Sequence, residues 1–186
     1  MHPTTLRRLP QSSSTFLRIA VVTLVGVVLA GCATSSTTSE SDSPVSPDGP
    51  VITAPVSMIN GAVPPGKLDP LYDVTTMLDT IDAQGNRLFV SRGTRMPGTR
   101  VAIHVHEYGG HTCVVSGTIT DFVEGQKSST FPAGTCYYMP PNTPMTAANL
   151  GTEPAVLIDN FTLPSDAPMI TILEPGWDDV VAQPSE

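Results

Sequence analysis

Short apolar runs alternate with turn residues from about residue 85 onward. Within the runs, Val, Ile, Leu and Thr alternate with polar residues, which is the pattern of half-buried β-strands. Separators such as Gly109-Gly110 and Pro140-Pro141-Asn142 mark turns between them. The predicted strands are residues 87–91, 100–106, 111–116, 118–123, 135–139, 144–149, 155–162 and 169–173. Eight short strands with no helix-length pattern predict an all-β, double-sheet jelly roll.

The segment before these strands is ambiguous. One face of a helix would carry Leu71, Val74, Leu78 and Ile81. The Thr content of the same segment favours a strand, which we prefer. Residues 51–70 are apolar but broken by prolines, and we expect them to form an arm against the domain. The predicted organisation is an arm and first strand at 51–84, a barrel domain at 85–175 and a tail at 176–186.

The first 31 residues do not belong to that fold. Arg7, Arg8 and Arg18 precede an apolar run over residues 19–30, which is the layout of a secretory signal. Leu29-Ala30-Gly31-Cys32 resembles the bacterial lipobox, whose Cys receives diacylglycerol before cleavage. We therefore expect a lipoprotein signal peptide at 1–31, a lipidated Cys32 with acyl chains such as palmitate, and a disordered tether at 32–50. The predicted location is the bacterial cell envelope, outside the cytoplasm and lipid-anchored to the membrane.

The charge of the chain argues against two classes of partner. The full sequence has 9 basic and 17 acidic residues, and removal of residues 1–31 takes away three Arg and no acid. A mature chain with 6 basic and 17 acidic residues is unsuited to nucleic acid and to electrostatic adhesion to anionic lipid. The acyl chains must therefore provide the membrane anchor.

The three histidines that remain after signal cleavage lie within eight residues. Because side chains alternate along a strand, His104 and His106 share one face of the predicted strand 100–106. His111 follows a Gly-Gly hinge that can reverse the chain and bring it opposite the pair. Three imidazoles could then converge on one divalent metal ion.

The motifs around these histidines resemble those of the cupin family of small jelly-roll barrels. The first cupin motif matches Gly98, His104, His106, a Glu position at Gly110 or His111, and Gly117. The second matches Gly134, Pro140, Asn142, Met145 and Asn149. The resemblance covers about residues 85–163 and implies a cupin barrel that carries a metal or a small-molecule ligand.

The sequence departs from the cupin pattern at two ligand positions. Cupins usually hold their metal with two His and a Glu from the first motif and one His from the second. Here Gly110 or His111 stands at the Glu position and Met145 at the last His. One reading is a three-His centre for Zn, Fe, Ni or Cu, with Met145 as a weak fourth ligand or a packing residue. The other is a barrel that has lost its metal and binds an organic ligand or nothing.

Two further residues are candidate contacts for a small-molecule ligand. Arg100 shares the predicted histidine face and could orient a carboxylate, or could form a salt bridge at the rim. Tyr108, on the loop between the histidines, could donate a hydrogen bond or remain solvated. No residue is assigned a catalytic role, so the sequence leaves open whether the protein is an enzyme.

Other features carry open alternatives. Cys113 and Cys136 could form a disulfide, which is permitted in an exported protein. Alternatively, Cys113 could be a thiol that faces the cavity. The apolar reverse face of strand 100–106 needs a cover, and resemblance to cupins allows a homodimer. The functional hypotheses are a metal-binding cupin with oxygenase-type chemistry, a non-catalytic ligand- or metal-binding module, and a metal-free envelope interaction protein.

Overall fold

The structure of the protein is a computed structural model that describes residues 52–182. The predicted signal peptide at 1–31, Cys32 and the tether at 32–50 lie outside the described residues. The elements of the described range, in chain order, are β1 (Lys67–Leu68), β2 (Tyr72–Ile81), β3 (Asn86–Arg95), β4 (Thr99–Arg100), β5 (His104–Val105), β6 (Gly110–Ser116), β7 (Thr118–Val123), β8 (Ser129–Pro132), β9 (Cys136–Met139), β10 (Met145–Ala148), β11 (Ala155–Pro164), β12 (Thr171–Ile172) and α1 (Trp177–Val181).

Two sheets form the domain. The five-stranded sheet has the order β2-β3-β11-β6-β9 and is antiparallel throughout. In the seven-stranded sheet, β10 is central: β4 and β5 pair with one of its edges and β7 with the other. The core packs between the sheets and includes Val114, Ile119, Val123, Tyr137, Met139, Met145, Ala147, Ala155 and Leu157. This arrangement confirms the predicted all-β jelly roll.

Most predicted strands are present, with shifted ends. β7 begins and ends at the predicted residues, whereas β3 extends four residues beyond the predicted end, to Arg95. The ambiguous segment 71–82 forms strand β2. Its apolar residues fitted a helical stripe, yet Val74, Leu78 and Ile81 are exposed on this edge strand. β1, β8 and α1 were not predicted, because elements of two to five residues carry too little periodicity.

The predicted strand 100–106 is interrupted in its middle. β4 ends at Arg100 and β5 begins at His104, with a bend at Ile103. The Ile103 amide donates to the Glu174 carboxylate at 2.8 Å, and the Ile103 carbonyl accepts from the amides of Leu173 and Glu174. The chain also buries the side chains of Ile103 and Val105 completely, so this face needs no second subunit as a cover.

Chain segments at both ends of the domain attach to it through specific contacts. Before β1, Asn60 Nδ2 donates to the carbonyls of Val123 and Gln126, and Asn60 Oδ1 accepts from the Gly125 amide. Near the C-terminus, the Glu174 carboxylate receives two hydrogen bonds from the Arg100 guanidinium, at 2.5 and 2.7 Å. Burial alone would raise the pKa of Glu174, but the bonds from Arg100 and the Ile103 amide outweigh burial and lower it.

Cys113 on β6 and Cys136 on β9 are direct cross-strand partners and are joined by a disulfide. The structure therefore selects the first of the two alternatives for these cysteines. No helix within residues 52–182 has the length and apolar character needed to cross a membrane.

Candidate functional site

A cavity of about 190 Å³ lies between the two sheets. Both sheets line it, because side chains at alternate positions of each strand point inward. Most of its wall is apolar, and the polar side chains that reach it are Ser91, Arg95, His104, His106, Thr112, Tyr137 and Asp159. A mainly apolar pocket with a few convergent polar groups is the usual form of a small-molecule site.

His104 and His106 form the most specific arrangement in this cavity. Both are 4% exposed, and their Nε2 atoms face each other at 3.1 Å. His104 Nδ1 lies 2.7 Å from the Ala102 carbonyl, and His106 Nδ1 lies 2.5 Å from the Met169 carbonyl. Because a carbonyl only accepts, each neutral ring carries its proton on Nδ1 and presents a lone pair at Nε2.

Burial keeps both rings neutral. Desolvation, with the neighbouring His106 as the next cause, lowers the pKa of His104 to about 3. Desolvation also lowers the pKa of His106 to about 4, against a hydrogen bond to the Met169 carbonyl that favours the charged form. Two unprotonated Nε2 atoms therefore face each other near neutral pH.

The histidine pair fits a metal ion as two neighbouring ligands. Bonds between a transition metal and a His nitrogen are about 2.1 Å long, so two Nε2 atoms 3.1 Å apart could both bind one ion. Backbone carbonyls hold both Nδ1 atoms, which fixes the ring orientation as in established metal sites.

Met145 is the third predicted ligand that lines the cavity. It lies on β10 directly opposite His104 on β5 and is 1% exposed. Its thioether is a soft, weak donor, and the same side chain belongs to the hydrophobic core.

His111 does not join the pair, so the prediction of three converging imidazoles is wrong in this geometry. β6 begins at Gly110, and its alternation points Thr112 inward and His111 outward, where it is exposed beside Tyr138. The position before His111 on the inward side is Gly110, where a Cβ would meet the Phe161 ring at 2.7 Å. Within residues 52–182, no group of three or more His, Cys, Asp or Glu side chains could hold a metal ion.

The two predicted ligand contacts lie elsewhere. The bend at Ile103 turns Arg100 away from the cavity, where its guanidinium pairs with Glu174. The salt-bridge alternative for Arg100 is therefore the one present, although the pair is buried. Tyr108 lies in a separate depression on the outer face of the five-stranded sheet, together with His111 and Tyr138.

A polar cluster on the inner face of the five-stranded sheet was missed from the sequence. It consists of Arg95, Thr112, Tyr137 and Asp159, all of which line the cavity. Thr112 Oγ1 donates to Asp159 Oδ1 at 2.6 Å. Burial raises the pKa of Asp159 and of Tyr137, and lowers the pKa of Arg95 to about 10. A lone Asp within the apolar run 155–163 was the available signal, because such a residue needs buried partners.

Part of the chain is similar in sequence to a known protein family. Residues 92–161 match the sequence profile of the family described as Cupin domain. None of the curated proteins matches the sequence.

Several solved structures are similar to the chain. A conserved protein with a double-stranded β-helix domain from Klebsiella pneumoniae is 25% identical, with a TM-score of 0.46 over 57% of this chain and 85% of that one. An RmlC-like cupin family protein from Methanocaldococcus jannaschii is 16% identical, with a TM-score of 0.43 over 53% and 94%. The DMSP lyase DddQ from Ruegeria pomeroyi is 13% identical, with a TM-score of 0.44 over 53% and 50%. The profile match over residues 92–161 agrees with the all-β, two-sheet architecture of the described residues.

Proposed function

We propose that this protein is a membrane-anchored, extracytoplasmic cupin lipoprotein that holds a divalent transition metal on His104 and His106. A small molecule would bind in the same cavity. The observation that carries the proposal is the 3.1 Å approach of two unprotonated Nε2 atoms inside an apolar cavity. Two lone pairs at this distance repel each other, and a cation between them converts that repulsion into attraction.

The donor set determines what the metal site can do. Two imidazoles, with the Met145 thioether as a weak neighbour, suit a borderline or soft ion such as Zn, Fe(II), Ni or Cu. Few protein ligands leave several coordination positions open, and a metal there supplies Lewis-acid or oxygen chemistry to a bound molecule. The chain's own residues hold the ion, exclude water with apolar walls and orient the ligand. The more specific proposal is an oxygenase-type reaction on the bound molecule.

A second candidate function is a metal-free site for a small organic ligand. It is favoured by the lack of a third His, Cys, Asp or Glu ligand beside the pair within residues 52–182. In that case the Nε2 atoms accept hydrogen bonds from the ligand.

Metal analysis of four purified proteins decides between the two candidates. We expect about one metal ion per chain in the wild-type protein and in His111→Ala, and large losses in His104→Ala and His106→Ala. His111→Ala is the matched control, because it also removes an imidazole but from the outer face. Equal metal content in all four proteins, or none in any, contradicts the two-histidine site and favours the metal-free candidate.

The membrane anchor is tested separately, since it depends on Leu29-Ala30-Gly31-Cys32 and not on the barrel. We expect metabolic labelling with palmitate to mark the wild-type protein in the membrane fraction, and Cys32→Ala to lose the label. Labelled Cys32→Ala protein would rule out Cys32 as the lipidated residue.

A further inference from the structure

Arg95 is a buried cation at the end of β3, on the wall of the cavity that holds the histidine pair. Only 3% of the residue is exposed, and it lines the cavity together with Asp159 and Tyr137. Its neighbour Arg92 is exposed and points to the opposite side of the sheet. Strand β3 therefore carries one arginine inward and one outward.

The charge on Arg95 lacks a direct counterion. Between residues 52 and 182, no carboxylate lies within salt-bridge distance of its guanidinium. One of its terminal nitrogens, Nη1, donates to the Asp69 carbonyl. A guanidinium has five N–H groups, so most of them have no acceptor in the described part of the chain and are available to the cavity.

Two carboxylates, Asp69 and Asp159, favour the charged form of Arg95, but neither lies within salt-bridge distance of its guanidinium. Asp159 commits Oδ1 to the Thr112 hydroxyl, and burial raises the pKa of Asp159, which favours its neutral form. Burial also raises the pKa of the Tyr137 hydroxyl, which favours its neutral form. An unpaired buried charge is unfavourable, and an anion that enters the cavity would compensate it.

The remaining residues of the cavity wall indicate that the rest of the ligand is apolar. Leu71, Phe89, Val101, Met139, Leu157 and Phe161 give the cavity apolar sides. A volume of about 190 Å³ suits a compact molecule. A ligand that matches this lining has an apolar body and one anionic end. A planar guanidinium binds a planar carboxylate through two parallel hydrogen bonds.

We propose that the cavity takes a small monocarboxylate, with its carboxylate on the Arg95 guanidinium and its apolar body between the two sheets. The inference rests on the proposed function, because it uses the same cavity and names the class of molecule that binds there. It does not require the metal, since Arg95 supplies the charge.

Isosteric probes test the charge requirement without changing the protein. Benzoate and benzamide have nearly the same shape, as do hexanoate and hexanamide, but only the acids are anionic. Affinities would be measured by ligand-observed NMR on the full-length protein, before and after treatment with a chelator. Because hydrogen bonds between charged groups contribute about 1.5–3 kcal/mol, we expect each acid to bind at least about tenfold more tightly than its amide. The preference should persist in chelator-treated protein.

Two variants assign the preference to one side chain. Arg95→Gln should abolish the discrimination between acid and amide, whereas Arg92→Gln, the matched control on the outer face of β3, should retain it. If Arg95→Gln does not fold, as judged by circular dichroism, the wild-type comparison of acid and amide decides the question alone.

Three outcomes would overturn the inference. They are equal affinity for acid and amide, no binding of either acid at millimolar concentration, and acid binding that requires metal and survives Arg95→Gln. The last outcome would mean that the metal binds the carboxylate, which leaves the proposed metal site intact. Conversely, a wild-type protein that is purified without metal, takes up none when metal is added, and prefers the acids would contradict the metal site and retain this inference.

Discussion

The two faces of the five-stranded sheet are built from the same strands but have different chemistry. On the inner face, Arg95, Thr112 and Asp159 are packed into a cavity wall, where burial shifts the pKa values of the ionisable groups. On the outer face, His111 and Tyr138 are exposed to solvent. Adjacent residues such as His111 and Thr112 therefore lie in different environments, whereas residues far apart in the chain share the wall of the cavity. Residue type alone does not identify a site residue, because the strand face decides its environment.

The largest expected effect concerns Asp121, an inward residue of β7 whose buried Oδ1 has no hydrogen-bond partner in the described part of the chain. Burial raises the pKa of Asp121 from 3.8 to about 7. From about pH 4 to about pH 7 the folded state keeps a proton that the unfolded state releases, so the free energy of unfolding falls as the pH rises. Asp121→Asn should remove this loss, which is at most about 4 kcal/mol, and stabilise the protein at about pH 8.

Urea unfolding at about pH 5 and about pH 8 measures this difference. The matched control is Asp79→Asn on exposed strand β2, where a hydrogen bond from Arg87 lowers the pKa of the carboxyl. The sign is opposite there, because the contribution of Asp79 is present above its unfolded pKa and is lost as the pH falls. Equal pH profiles for wild type and Asp121→Asn would show that the Asp121 carboxyl is ionised and solvated.

A smaller effect is expected from two adjacent residues of β6. In Gly110→Ala, the new Cβ would lie 2.7 Å from Phe161 Cδ1 and 2.9 Å from the Asn160 carbonyl oxygen. Overpacking of this kind typically destabilises a protein by about 1–3 kcal/mol. His111→Ala, one position along the strand and exposed, should change the free energy of unfolding by less than about 0.5 kcal/mol.

Thermal or urea unfolding of the two variants measures both changes in the free energy of unfolding. Phe161→Leu in the Gly110→Ala background should recover part of the loss, because it removes the ring that the Cβ meets. If His111→Ala proved as destabilising as Gly110→Ala, the outer face would carry a packing role that its exposure does not indicate.

Much of the fold could be predicted because strand patterns are local. The alternation in residues 118–123 produced β7 with the correct ends, and the Thr-rich segment 71–82 formed a strand. The interruption at Ile103 could not be predicted, because the groups that bond to it, the Glu174 carboxylate and the amides of Leu173 and Glu174, are about seventy residues away. That interruption removed Arg100 from the cavity and left the site to Arg95, on an extension of β3 that local pattern did not indicate.

The candidate site was predicted in part for the same reason. His104 and His106 are two residues apart, and strand alternation alone placed them on one face. The place of His111 depended on the pairing register of β6, because a shift of one residue moves every side chain to the opposite face. Pairing of β6 with β11 and β9 sets that register, and it also brings Cys113 opposite Cys136.

The sequence by itself determined the all-β class, the cupin-like motifs and the pairing of His104 with His106, because each is written in residues close together in the chain. Tertiary structure alone decided that His111 faces outward, that Arg100 binds Glu174, and that Arg95 and Asp159 line the same cavity. The physical reason is that strand register and burial arise from contacts between distant segments, which no local pattern of apolar and polar residues encodes.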